Sequence, residues 1–171
     1  MTNAVPSLQV SSLLILGGMI AVIATVLGFE HIGGYIPCAL CLQQRVPYYV
    51  AIPGLLLALV GATFMDRTTV LRIGLAFALV AMLIAAGLGA YHAGVEWAWW
   101  EGPTTCGAVA QSTFSNADSL LDQLATTRPP SCNEAAGRFL GLSFAGWNVV
   151  VSLVLAIAAA FALRKPPGVP A

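Results

Sequence analysis

Apolar positions along this chain fall into four long blocks, separated by short polar interruptions and one long polar stretch. The first block covers residues 8–29 and holds no charged side chain over 22 positions. At about 1.5 Å of rise per residue, a helix of that length crosses a hydrocarbon core of about 30 Å. The second block runs over residues 41–64, with a single charge, Arg45, close to its start. The third covers residues 73–91 and the fourth residues 142–163. The pattern predicts an all-α membrane protein: a four-transmembrane-helix bundle, one domain over residues 1–171, with a long loop over residues 92–142 between the third and fourth helices. The first block stands where a secretory signal would. Residues 1–12 contain no Lys or Arg, however, and the apolar run exceeds the ~7–15 residues of a cleaved signal. It reads as a retained first helix.

Composition sharpens the class. Of the 171 residues, 58% are apolar and 8% charged, against about a quarter charged in soluble domains. Seven basic residues balance seven acidic ones, so no charge excess points to nucleic acid. Placement says more than the total. Arg67, Arg72, Arg164 and Lys165 crowd the short link after the second block and the C-terminal tail, whereas Arg128 and Arg138 are spread over the long loop. By the positive-inside rule the short link and both termini are cytoplasmic. The long loop and the segment before Cys38 then face outward, which in a bacterium means the periplasmic side of the inner membrane.

That topology puts four cysteines, in two pairs, on one face. Cys38 and Cys41 form Cys-Ala-Leu-Cys before the second block; Cys106 and Cys132 lie in the long loop. An even cysteine count in an oxidising compartment fits two structural bridges. A Cys-x-x-Cys bridge closes a tiny loop and adds little by chain entropy, though, and it is a common redox unit. Pro37 suits a helix start, where unpaired N–H groups and the macrodipole favour an anion. Arg45, one turn beyond Cys41, is the candidate to hold a Cys41 thiolate and the oxygen of an anionic or quinonoid partner; snorkelling to the headgroups is its structural alternative. Gln43 and Gln44 add neutral donors and acceptors. His31 and His92 end apolar blocks, as interfacial residues do, but His92 should also stand near Cys41 and Arg45, placed to hydrogen-bond there or relay a proton.

No metal is expected, because 25 residues separate Cys106 from Cys132 and that spacing suits zinc poorly. Trp97, Trp99 and Trp100 read as an interfacial aromatic belt. Within the loop, Ser115-Asn-Ala-Asp118 predicts the start of a short amphipathic helix that ends by Arg128, and residues 134–139 predict a second one. Thiols on one outward face point to an electron-transfer enzyme; a non-enzymatic scaffold with two structural bridges is the alternative from another class.

Pro37-Cys-Ala-Leu-Cys-Leu-Gln-Gln-Arg45 after one helix, a distant Cys106…Cys132 pair, and the run from Cys132 through residues 139–142 to Trp147 together resemble the DsbB family of disulfide bond formation proteins. The resemblance implies a relay. A soluble periplasmic thioredoxin-fold oxidase (DsbA-like) is reoxidised, and its electrons pass to membrane ubiquinone or menaquinone. Carried over by position, Cys106 is the sulfur attacked by that partner, Cys132 is released to attack Cys38, and Cys41 is left as a thiolate facing the quinone. Arg45, Gln44 and His92 are then the quinone-binding candidates. Gln44 departs from the acidic residue that family members often carry there, which leaves Arg45 without a neighbouring counter-charge. A thiol/quinone reductase resembling vitamin K epoxide reductase is the competing enzyme; its Cys-x-x-Cys follows the loop pair, and here it comes first.

Overall fold

The computed structural model describes residues 4–103 and 132–164. Cys106 and the expected helix that starts at residues 115–118 and ends by Arg128 lie outside the described residues. Among the described residues four long helices dominate: α1 (Ala4–His31), α2 (Ala39–Gly61), α3 (Arg67–Glu96) and α4 (Phe144–Arg164). A two-residue hairpin, β1 (Arg138–Phe139) and β2 (Leu142–Ser143), leads into α4.

Local chemistry sets the ends. α1 stops at Gly33-Gly34. Gly34 takes φ 70°, and a side chain at Gly33 would meet the Phe29 carbonyl at 2.6 Å, so glycine alone fits this exit. Cys38 is the N-cap of α2, its sulfur accepting from the Cys41 amide. Pro37 therefore sits just outside the helix rather than in its first turn. Asp66 caps α3 by accepting from the Thr69 amide at 2.9 Å, and Ser143 caps α4 by accepting from the Gly146 amide.

Two expectations are corrected. The loop does not begin at residue 92, because α3 runs on to Glu96 and ends where Ala98 turns left-handed (φ 56°). No chain breaker occurs before that point, so His92 and Glu96 lie one turn apart on a helix. Residues 134–139 form no helix either. Leu140 and Gly141 both take positive φ (52° and 84°), the backbone of a tight two-residue hairpin turn. Trp147 locks that turn by donating to the Phe139 carbonyl.

The core is one apolar layer between helices, centred on Met19, Tyr48, Leu55, Leu71, Leu75 and Met82. α3 is central and its buried face is small: Gly74, Ala78, Ala81, Ala85 and Gly89. Small residues let backbones approach closely, as in helix packing within lipid. Outward faces are equally apolar, with Leu14, Leu57, Ile73, Ile84, Val154 and Phe161 exposed; helices greasy on all sides belong in a membrane. Among the described residues, three are long and apolar enough to cross one: Ser7–His31, Arg67–Glu96 and Phe144–Arg164. α2 has the length, 23 residues, but Gln43, Gln44, Arg45, Pro47 and Pro53 dilute it as far as Pro53. The end of α1, the start of α2, the end of α3 and the start of α4 meet at one end of the molecule, and the site forms there.

Candidate active site

The site begins with the α2 cap. Cys38 and Cys41 are free thiols with their sulfurs 2.8 Å apart. The Cys41 amide lies 3.3 Å from Cys38 Sγ, and His92 Nε2 stands 3.7 Å from the same sulfur. The Cys41 thiol hydrogen bond is the main reason the Cys38 thiol falls well below its ordinary range, to about 4. His92 and the Cys41 amide add to that effect, and burial opposes it. The expected anion at the helix mouth was Cys41. The capping position, with the amide and the histidine, belongs to Cys38, because the helix starts one residue after Cys38 and its free N–H groups converge there.

His92 stands behind the cysteine pair, on α3, rather than at the face expected to meet a quinone. It is 2% exposed. Its Nδ1 lies 2.7 Å from Gln44 Nε2, and its Nε2 lies 3.8 Å from Glu96 Oε1. Gln44 also donates to the Leu40 carbonyl and accepts from Asn148 Nδ2 at 2.8 Å. Asn148 donates a second time, to the Ala85 carbonyl, and its Oδ1 accepts from the Tyr48 hydroxyl at 2.9 Å. Tyr48 in turn meets Ser152 at 2.7 Å. A polar thread thus crosses an apolar core from α4 through α2 to α3.

Arg45 does not lack a counter-charge. Glu30, at the end of α1, binds its Nη1 at 2.5 Å. The partner missing from position 44 comes instead from the neighbouring helix, 15 residues earlier. The Arg45 side chain is 10% exposed, and its Nε is buried with no hydrogen-bond partner among the described residues.

In front of the cysteines, α1, α2 and α4 part to leave a cleft of about 600 Å³. Its walls are mostly apolar: Val22, Val26, Phe29, Ile36, Phe139, Phe144 and Val151. Cys41, Gln44, Arg45, Glu30, Tyr48 and Asn148 supply the polar edge. Cys38 and His92 do not line it. Trp147 does, whereas Trp97, Trp99 and Trp100 do not. Those three cluster near the α3 exit, where Trp100 stacks on Tyr91 and donates to its carbonyl, in keeping with an interfacial belt.

Cys132 is disulfide-bonded and 1% exposed, packed in one small apolar cluster with Cys38, Leu40 and Val95. The structure therefore brings together Cys38, Cys41, Cys132, Arg45, Gln44 and His92. Sequence reasoning missed Glu30, Glu96, Tyr48, Asn148 and Ser152. Asn148 and Ser152 carried a usable signal, being polar residues one turn apart inside an apolar block. Glu30 is the first charged residue after the first block. As to metal, the ligand atoms of Cys38, Cys41 and His92 lie within 4.8 Å of one another. Two thiolates on one tetrahedral zinc would sit about 3.8 Å apart, given Zn–S of ~2.3 Å. The 2.8 Å separation here suits a sulfur couple better.

The family model described as Disulfide bond formation protein DsbB matches residues 9–162. A Disulfide bond formation protein B from Saccharophagus degradans is 28% identical over 163 residues, covering 94% of this chain and 96% of that protein. The protein of the same name from Pasteurella multocida is 32% identical over 134 residues (75% and 70%), and that from Aromatoleum aromaticum is 30% identical over 160 residues (88% and 92%).

Proposed function

The chain belongs to the DsbB family of disulfide bond formation proteins, and from that membership we propose that it is a quinone-dependent thiol oxidase of the bacterial inner membrane. It takes two electrons from a reduced DsbA-like thioredoxin-fold protein in the periplasm and delivers them to ubiquinone or menaquinone. α2 is the fourth span in this reading, both termini are cytoplasmic, and both cysteine pairs face the periplasm.

The cleft fits a quinone. Its volume lies within the ~300–1,000 Å³ of ligand pockets, its walls are apolar, and its polar groups gather at one edge. The buried Arg45 Nε, unpartnered among the described residues, is a donor suited to a ring oxygen. Bound there, a quinone accepts two electrons and two protons.

The cysteines do the rest. A partner thiolate attacks Cys106 in a Cys106–Cys132 bridge and frees Cys132 as a thiolate. Cys132 attacks Cys38 of an oxidised Cys38–Cys41 pair; the Cys132–Cys38 bond forms and Cys41 leaves with the electron pair. The partner's second thiol then displaces Cys106, which releases the oxidised partner. Cys106 attacks Cys132 to restore their bridge, and Cys38 departs as a thiolate. Two reduced sulfurs, Cys38 and Cys41, remain to be oxidised at the cleft. Each exchange needs a thiolate attacker and a good leaving sulfur. Arg45 holds negative charge beside Cys41, and Gln44 and His92 flank the pair.

The observation carrying this reading is the position of the couple: Cys41 opens on the apolar cleft while Cys38 packs against Cys132. The test is quinone reduction by purified protein supplied with a reduced thioredoxin-fold partner. Cys41→Ser should abolish turnover. Arg45→Ala should raise KM for quinone about tenfold to a hundredfold, the loss of one charge-assisted hydrogen bond, with KM for the partner unchanged. Unaltered turnover in Cys41→Ser would remove the relay.

A further inference from the structure

Imidazole has two neutral tautomers, and the hydrogen bond at one nitrogen decides which nitrogen carries the proton. Around His92 that decision propagates from two backbone carbonyls. The Ala85 carbonyl can only accept, so the group of Asn148 facing it, at 3.2 Å, is the amide nitrogen. The same nitrogen then points its other hydrogen at Gln44, 2.8 Å away, and the Gln44 atom there must be the acceptor Oε1. The Tyr48 hydroxyl on Asn148 Oδ1 agrees with that orientation. With Oε1 occupied, Gln44 turns its nitrogen to His92 Nδ1 at 2.7 Å. The Leu40 carbonyl, a second pure acceptor at 3.3 Å from that nitrogen, holds it in place. Nδ1 must therefore accept, and the ring proton sits on Nε2.

We infer that Asn148 and Gln44 are positioning residues that fix His92 in its Nε2–H tautomer and so aim an N–H at the Cys38 sulfur. The other polar group near Nε2 among the described residues, Glu96 Oε1 at 3.8 Å, is also an acceptor, so nothing in those residues opposes a proton on that nitrogen. The chemical use of the device rests on the relay proposed above. When Cys106 attacks Cys132, the Cys132–Cys38 bond breaks and Cys38 leaves with the electron pair. An N–H already aimed at that sulfur stabilises the departing thiolate, and no proton need move.

Imidazole ¹⁵N NMR of the full-length reduced protein in detergent tests this directly. His31→Gln leaves His92 as the single histidine. At neutral pH Nδ1 should show the shift of an unprotonated nitrogen and Nε2 that of an N–H. A protonated Nδ1, in the other neutral tautomer or in an imidazolium, would overturn the inference. Asn148→Asp, as a carboxylate, offers only acceptors. Gln44 then reverses, Nδ1 gains the proton, and the two ¹⁵N signals exchange character. A second readout is alkylation of Cys38 against pH. The groups beside that sulfur are Cys41 from α2 and His92 from α3, with Cys132 packed in the same cluster and Glu96 3.8 Å from the imidazole Nε2. Asn148→Asp should move the midpoint up by about one pH unit, a tenfold loss of thiolate at a fixed pH below it. An unmoved midpoint with an altered tautomer would show that the N–H does not serve the sulfur. The spectrum needs neither quinone nor partner. A protein that fails the turnover test and still shows this tautomer would sink the relay and leave the hydrogen-bond chain standing.

Discussion

Cys38 and Cys41 stand three positions apart and meet different surroundings. Cys38 caps the helix, receives the Cys41 amide and faces His92; Cys41 borders the cleft beside Arg45. The Cys41 thiol is the first cause of the low Cys38 value, and burial alone would push the other way. The sign follows. A thiol held down in the folded protein stays ionised at neutral pH, and the stability it lends the dithiol form is present above the unfolded thiol range, ~8.5. That contribution fades as pH falls towards about 4. Cys41→Ala removes the strongest cause and leaves the amide and His92. The alkylation midpoint of Cys38, followed by mass spectrometry after timed iodoacetamide exposure, should lie well below the usual thiol value in the parent. It should rise in the variant without reaching that value. Equal midpoints would show that the helix start, not the second sulfur, sets the acidity. At this scale the sequence was legible where chemistry is local. Pro37, the Cys-x-x-Cys spacing and Arg45 all lie within one helix start. The Glu30–Arg45 pair and the Gln44–Asn148 bond were not legible, being 15 and 104 residues apart. No local period records which polar group on one helix faces which on another.

Helix α3 shows how an element positions a site that it barely lines. Its small-residue face brings α4 so close that a side chain at Gly89 would meet Val149 Cγ2 at 2.9 Å, Asn148 Nδ2 at 3.1 Å and the Ala145 carbonyl at 3.2 Å. That approach lets Asn148 reach both the Ala85 carbonyl and Gln44. A branched side chain has no room, since one of the neighbours is backbone. Gly89→Val should cost about 1–3 kcal/mol by overpacking and should loosen the thread at His92. Thermal unfolding in detergent measures the first effect; the His92 ¹⁵N spectrum measures the second. A variant as stable as the parent with an unchanged spectrum would mean that α3 and α4 are not held at this distance. The block pattern found the four long helices of the described residues, because long apolar runs declare themselves. It missed the extra turns of α3 at both ends. Asp66 caps the helix well before the apolar run starts, and Ala93 to Glu96 prolong it past His92, the polar residue at which the apolar reading stops. The hairpin over residues 138–143 was equally hidden, because its turn uses Leu140 at positive φ, where glycine or asparagine is the usual signal.

For the whole molecule, the number of crossings decides whether the cysteine chemistry has a compartment. The ends of α1 and α3 and the starts of α2 and α4 meet around Glu30, Cys38, His92 and Asn148. The connection at residues 62–66, between α2 and α3, lies at the opposite end of those helices. If α2 crosses, that connection is cytoplasmic and the cysteine end is periplasmic. If α2 instead lay along one surface, both would face the same side, and Arg67 and Arg72 would no longer mark the inner face. Hydropathy alone does not choose, because the polar residues that dilute α2 are the ones that build the site. Its length does favour crossing: 23 residues give about 34 Å of helix, and its second half, from Leu55 to Val60, is apolar. Substituted cysteines decide it. Thr63 and Trp99 are exposed, one at each end. In intact cells a membrane-impermeant maleimide should modify Trp99→Cys, with the modified peptide identified by mass so that native thiols do not interfere. Thr63→Cys should react only after the membrane is permeabilised. Equal labelling of both from outside would put α2 on the surface, leave three crossings, and separate the N-terminus from the C-terminus across the bilayer.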